Sequence, residues 1–121
     1  MREILFRGKR VDNKNWIEGF YYKASIINED TLIETYKYYI NNYEVLPETV
    51  GQYTDLLDKD GNKIFEEDIL EYIASWNKYN KVIKFIDNGY YITNSFLKFN
   101  LPNQEFRKII GNIHDNPELI K

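Results

Sequence analysis

The chain has 121 residues, 16 basic and 19 acidic side chains, a net charge of −3, one histidine and no cysteine. These figures exclude a disulfide scaffold, a thiolate metal site, a cysteine nucleophile and most histidine-based metal or triad chemistry. Aromatic content is high, with 11 Tyr, 7 Phe and 2 Trp, while Ala24 and Ala74 are the only alanines, which points to an all-β domain with little helix.

Residues 2–11 alternate around Ile4 and Phe6 and read as a strand. Asp12-Asn13-Lys14-Asn15 is a turn cluster, and Trp16 to Tyr22 is a second strand that completes a hairpin. Gly19 within it predicts a bulge or the close approach of another backbone. Ser25 to Tyr39 reads as two strands about Asn28-Glu29-Asp30, because Thr31, Ile33, Thr35, Tyr36, Tyr38 and Tyr39 favour strand over a helix capped by Asp30. Pro47 to Thr54 is expected to be extended. Asp60-Gly61 marks a tight turn. Glu66-Glu67-Asp68 leads into a strand over 69–73. Lys81–Ile86 and Tyr90–Phe99 flank Asp87-Asn88-Gly89, the clearest hairpin, with Phe85 expected opposite Ile92 and Lys84 opposite Thr93. Phe106–Ile113 is a last strand and Asn116–Leu119 a terminal turn. A weak boundary near 55–63 divides an N-terminal β region, 1–57, from a C-terminal region, 58–121, within one compact unit.

Charge is unevenly placed. Residues 1–23 sum to +3, residues 44–71 to −7 and residues 78–108 to +4. Solvated faces that happen to segregate explain this, as do basic and acidic blocks that meet within one chain or between subunits. A basic face for nucleic acid fits less well with a net acidic chain.

Each candidate for chemistry has a plainer reading. Asp58-Lys59-Asp60-Gly61-Asn62 lacks the glycine at position 6 and the glutamate at position 12 of a calcium loop, so it reads as a turn. Glu66 and Asp68 are the only pair of the three adjacent carboxylates that could converge from one face of a strand, and Asp68 is better placed to bond local backbone N–H groups. His114 precedes Asp115 but has no recognisable nucleophile beside it, which leaves it a packing role. Lys78, Lys81, Lys84 and Lys98 are interleaved with Trp76, Tyr79, Tyr90 and Tyr91, a pattern that can track phosphates and stack bases. Aromatic residues on a small β domain more often serve a core or an interface.

The chain resembles the YopX family of phage and prophage proteins. The resemblance is carried by Met1–Arg10, Trp16–Tyr21, Glu48–Leu56, Asp58–Ile69 and Ile110–Leu119. Departures are Glu67, where the family pattern often has Gly, and Lys14-Asn15, where a Gly is common; both imply slightly altered turns. The resemblance implies a β-rich protein with an SH3-like barrel in its C-terminal half, a phage or prophage gene in a low-GC bacterium, and homo-oligomers. It brings no catalytic residues.

The resulting expectation is a small, non-enzymatic, cytoplasmic protein without cofactor or metal, acting as a homo-oligomeric interaction module for an unknown phage or host protein. No membrane segment is expected. Trp16, Phe20, Tyr53 and Phe65 are assigned to the core. Tyr36, Tyr38, Tyr39, Tyr79, Tyr90 and Tyr91 are the candidate interface. The alternatives are a nucleic-acid-binding accessory protein using Lys78, Lys81, Lys84 and Lys98, and an enzyme using Glu66 or Asp68.

Overall fold

The structure, a computed structural model, describes residues 4–86, 88–93 and 98–120. Residues 2–3 and 94–97 of the expected strands, and Asp87 of the expected turn, lie outside the described residues. So does the side chain of Lys98. The protein is all-β, with twelve strands and three short 3-10 turns among the described residues. Its chain forms two compact units, residues 1–52 and 53–121.

Unit 1 contains β1 (Phe6–Lys9), β2 (Trp16–Gly19), β3 (Tyr21–Ile27), β4 (Glu34–Ile40) and β5 (Tyr43–Glu44). β1 and β2 form the expected hairpin, with Lys9 opposite Trp16 and Phe6 opposite Gly19. β3 and β4 pair over seven consecutive residues without a shift, from Tyr21 opposite Ile40 to Ile27 opposite Glu34. Asn41 and Asn42, both at positive φ, turn β4 into β5, which is the two-residue connection that asparagine favours. Pro47–Thr49 is a 3-10 turn, not the extended segment expected. Pro47 sets the helical φ of the first position, and Thr49 Oγ1 closes the turn by donating to Leu46 O and accepting from Lys9 N. Ile40 and Val45 are fully buried here.

Gly19 is approached closely, but by a side chain and not by a backbone. A Cβ at Gly19 would fall on the Asn41 carboxamide. That amide accepts from Phe20 N at 3.0 Å and donates to Glu18 O at 3.2 Å. It thereby splits the expected 16–22 strand into β2 and β3. The break turns Phe20 outward, where it is 71% exposed, so Phe20 leaves the core to which the sequence assigned it. Tyr53 and Phe65 are buried and Trp16 half-buried.

β6 (Gly51–Leu57) runs across the boundary between the units. Unit 2 continues with β7 (Lys63–Phe65), β8 (Asp68–Ala74), β9 (Asn77–Ile86), β10 (Gly89–Thr93), β11 (Lys98–Phe99) and β12 (Arg107–Asn112). The last five form an antiparallel sheet in the order β11-β10-β9-β8-β12. Ile64, Leu70, Ile83 and Ile92 make its core, with Tyr72, Tyr90, Leu101 and Ile109 packed against them.

The β9–β10 hairpin has Phe85 opposite Tyr90, Lys84 opposite Tyr91 and Ile83 opposite Ile92. The register therefore differs by two residues from the one expected, because Gly89 already pairs with Ile86 instead of lying in the turn. An even shift keeps every side chain on its expected face. The β8–β9 hairpin was not legible. Its turn residues, Ser75 and Trp76, both adopt positive φ, a geometry usually announced by Asn or Gly.

Lys14 and Glu67 also adopt left-handed φ, 62° and 73°. At both sequence departures a residue with a side chain adopts a conformation that suits glycine. Glu67 N donates to Ile83 O, Ile113 N donates to Glu67 O, and the Glu67 carboxylate faces His114 Nε2 at 2.6 Å. Glu67→Ala removes the His114 contact and keeps the backbone strain, whereas Glu67→Gly removes both. Glu67→Gly is therefore expected to be about 1–2 kcal/mol more stable than Glu67→Ala in urea unfolding.

Candidate functional site

Period-two alternation decides which residues of the unit 2 sheet meet. Opposed pairs share a face, so Tyr72 and Tyr79, Leu70 and Lys81, Ile83 and Ile92, and Ile92 and Phe99 point the same way. The middle of that face is the core. Towards the Ala74–Asn77 end of the β8–β9 hairpin it opens into a groove of about 460 Å³. Tyr72, Ala74, Tyr79, Lys81, Ile92, Phe99, Asn100 and Pro102 line it.

The groove is mostly apolar with few polar groups, which is the usual make-up of a binding cleft. The Tyr72 and Tyr79 rings stack at 5.4 Å. Burial, and then the neighbouring Tyr79 phenol, push the Tyr72 hydroxyl above its ordinary pKa, so it stays a neutral donor across the physiological range. Lys81 supplies the one cation among the lining residues. Beyond the groove the hairpin tip carries Trp76, which is 99% exposed.

The sequence-predicted residues divide between units and faces. Tyr36, Tyr38 and Tyr39 lie in unit 1, where Tyr38 stacks on Tyr21 at 6.2 Å and Tyr39 on Tyr22 at 5.3 Å. Tyr36 is exposed, with Lys23 Nζ 4.5 Å from its ring centre. Tyr79 lies in the groove, and Tyr90 is on the same sheet face against Phe85 at 5.0 Å. Tyr91 pairs with Lys84 on the opposite face. Lys78 shares that opposite face, whereas Lys81 is in the groove. The lysines thus do not gather into one stripe. Lys98 stands in β11 opposite Thr93.

Two carboxylates, Asp68 and Asp58, are buried and held by backbone donors. Asp68 is buried, and its Oδ2 accepts from Phe65 N at 2.7 Å, closing the turn at Glu66-Glu67. Asp58 is 1% exposed. Its Oδ1 accepts from Asp60 N and Asn62 N at 3.0 and 2.9 Å, and its Oδ2 from Ile109 N at 3.1 Å. Burial alone would raise its pKa, but the backbone donors of Ile109, Asn62 and Asp60 prevail and hold the carboxyl below its ordinary value. Arg107 lies next to it, with Nε donating to Leu57 O at 2.8 Å and Nη1 to Pro102 O at 2.9 Å. Burial lowers the Arg107 pKa, opposed by the Asp58 charge. Sequence reasoning found the turn at Asp58 but not its burial; the signal was the run of short side chains able to fold back on their own backbone. Among the described residues no three His, Cys, Asp or Glu side chains cluster as metal ligands.

A family model described as YopX protein matches residues 5–121. No curated protein matches the chain. The crystal structure of protein EF1440 from Enterococcus faecalis is similar to it, with a TM-score of 0.61 and 24% identity over 100% of both chains. At that identity the similarity speaks to the fold.

Proposed function

The chain belongs to the YopX family, and from that premise we propose that it is a phage- or prophage-encoded, non-catalytic interaction module of the bacterial cytoplasm that assembles with its own copies. The observation that supports a binding role is the aromatic groove of unit 2. Stacked Tyr72 and Tyr79, Phe99 and Pro102 suit an aliphatic or aromatic side chain of a partner protein, and Lys81 suits an acidic residue beside it. The buried carboxylates Asp58 and Asp68 are committed to backbone donors, which supports a role without acid–base chemistry. No helix among the described residues is long and apolar enough to cross a membrane.

Panning a displayed random-peptide library on the protein tests the groove. Enrichment of peptides with an aromatic or large aliphatic residue next to Asp or Glu is expected, with binding at least tenfold weaker to Tyr79→Ala. Peptides that bind both proteins equally would contradict it. A second reading has one observation in its favour: Lys81 shares a face with Tyr72 and Tyr79, as a cation does on a base-stacking platform. It predicts retention of single-stranded nucleic acid at ~50 mM salt that fades as salt rises.

A further inference from the structure

Two of the three sheets among the described residues differ at their edges. In unit 2 the outer edge of β12 is covered, because Lys59 N donates to Arg107 O and Ile109 N to the Asp58 carboxylate. In unit 1, β3 is an edge strand of the sheet ordered β3-β4-β5. Among the described residues, β3 pairs with β4 alone. It has seven residues, no proline and no bulge, so three of the devices that discourage edge pairing are absent. Its one charged residue, Lys23, lies over the Tyr36 ring of the neighbouring strand.

Hydrogen bonds beyond the ends of the ribbon fix which backbone groups face outward. Asn28 N donates to Ile33 O, and Asn41 N donates to Phe20 O. Even-numbered residues of β3 therefore face β4, and Tyr21, Lys23, Ser25 and Ile27 aim their N–H and C=O groups away from it. Ile26 and Ile27 are exposed, and Leu32 and Ile33 extend that apolar surface around the ribbon tip.

The geometry points to a second copy of this chain as the occupant, with the two β3 strands antiparallel about Ala24. We argue this from the pairing that it creates. Centring on Ala24 uses all seven residues and puts the small side chain where the strands meet themselves. Lys23 then faces Ser25 of the other copy, Tyr22 faces Ile26, and Tyr21 faces Ile27. Two of these three are aromatic–aliphatic pairs, and no like charges are opposed. Ser25 Oγ holds the Glu34 carboxylate at 2.9 Å, so Lys23 meets an acidic neighbourhood across the junction. Centring on Lys23 would instead oppose two lysines. The contact is isologous and closes as a dimer.

This inference rests on the self-association part of the proposed function, and its test separates the two. The chain has no cysteine, so Ala24→Cys introduces a single thiol. At the proposed centre the two Ala24 residues form a non-hydrogen-bonded pair, with Cα atoms about 4.5 Å apart, close enough for a disulfide. Ala24→Cys is expected to form a reducible covalent dimer on mild oxidation, while Thr35→Cys on β4 stays uncrosslinked. Ala24→Lys is expected to halve the mass seen by light scattering, and mixing it with Ala24→Glu to restore it, which also shows that both variants fold. Equal crosslinking of the two cysteine variants, or none, would overturn the β3 contact. Self-association itself would fall only if the wild-type protein is a strict monomer by light scattering at low and high salt.

Discussion

Asp58→Ala is expected to destabilise the protein by about 3–5 kcal/mol, read from urea unfolding. The substitution leaves the N–H groups of Asp60, Asn62 and Ile109 without the acceptor that the buried Asp58 side chain supplies, and leaves Arg107 buried without its nearby anion. A donor left unpaired out of reach of water costs about 1–3 kcal/mol, and losing the anion beside a buried arginine adds to that. Asp58→Asn keeps the shape and one acceptor oxygen, so it is expected to recover part of the loss. The same carboxylate sets an acid limit. Its pKa is depressed in the folded state, so the unfolded chain takes up the proton first as pH falls. The stabilisation is present above the ordinary aspartate value of about 3.9 and is lost as pH falls through the folded value. Asp58→Asn is expected to flatten that acid-side decline; an unchanged decline would mean that other carboxylates govern it.

Gly19→Ala is expected to cost about 2–3 kcal/mol. The new methyl group would occupy the space of the Asn41 carboxamide. Asn41 cannot simply swing away, because its amide serves Phe20 N and Glu18 O and its backbone is held at a φ of 49° in the β4–β5 turn. Asn41→Ala in the same background separates the terms. If the clash dominates, Gly19→Ala should cost much less once Asn41 is already alanine, and a double-mutant cycle reads that coupling directly. Additive effects would show that the two residues do not compete for one space.

The strands were legible because alternation and β-branched or aromatic runs mark half-buried surfaces. β4, β9 and β12 follow from that pattern within a few residues. Signals failed where turn geometry was built from unusual residues. Ser75 and Trp76 fill positions that Asn or Gly would normally declare, so the β8–β9 hairpin and the exposed Trp76 went unseen. Asn41 acts on Gly19 and Phe20 through a side chain 21 residues away from the Phe20 N–H that donates to it, and no local pattern carries that. Tyr79 is an interface candidate on its aromatic character and its place outside the stretches that carry the family resemblance. Its meeting with Tyr72, Phe99 and Pro102 depends on hairpin registers that composition does not contain. Lys81 parted from Lys78 and Lys84 for a simpler reason: three residues apart in a strand means opposite faces.

The claim that the unit 2 groove is a binding surface is tested most directly with the smallest aromatic probe. Indole titrated into isotope-labelled protein, followed by nuclear magnetic resonance, should give saturable shifts at Ala74, Tyr79, Ile92 and Phe99. Tyr79→Ala should weaken or abolish them. Saturable shifts confined to other surfaces, or no saturable shift while the protein remains folded, would contradict the account.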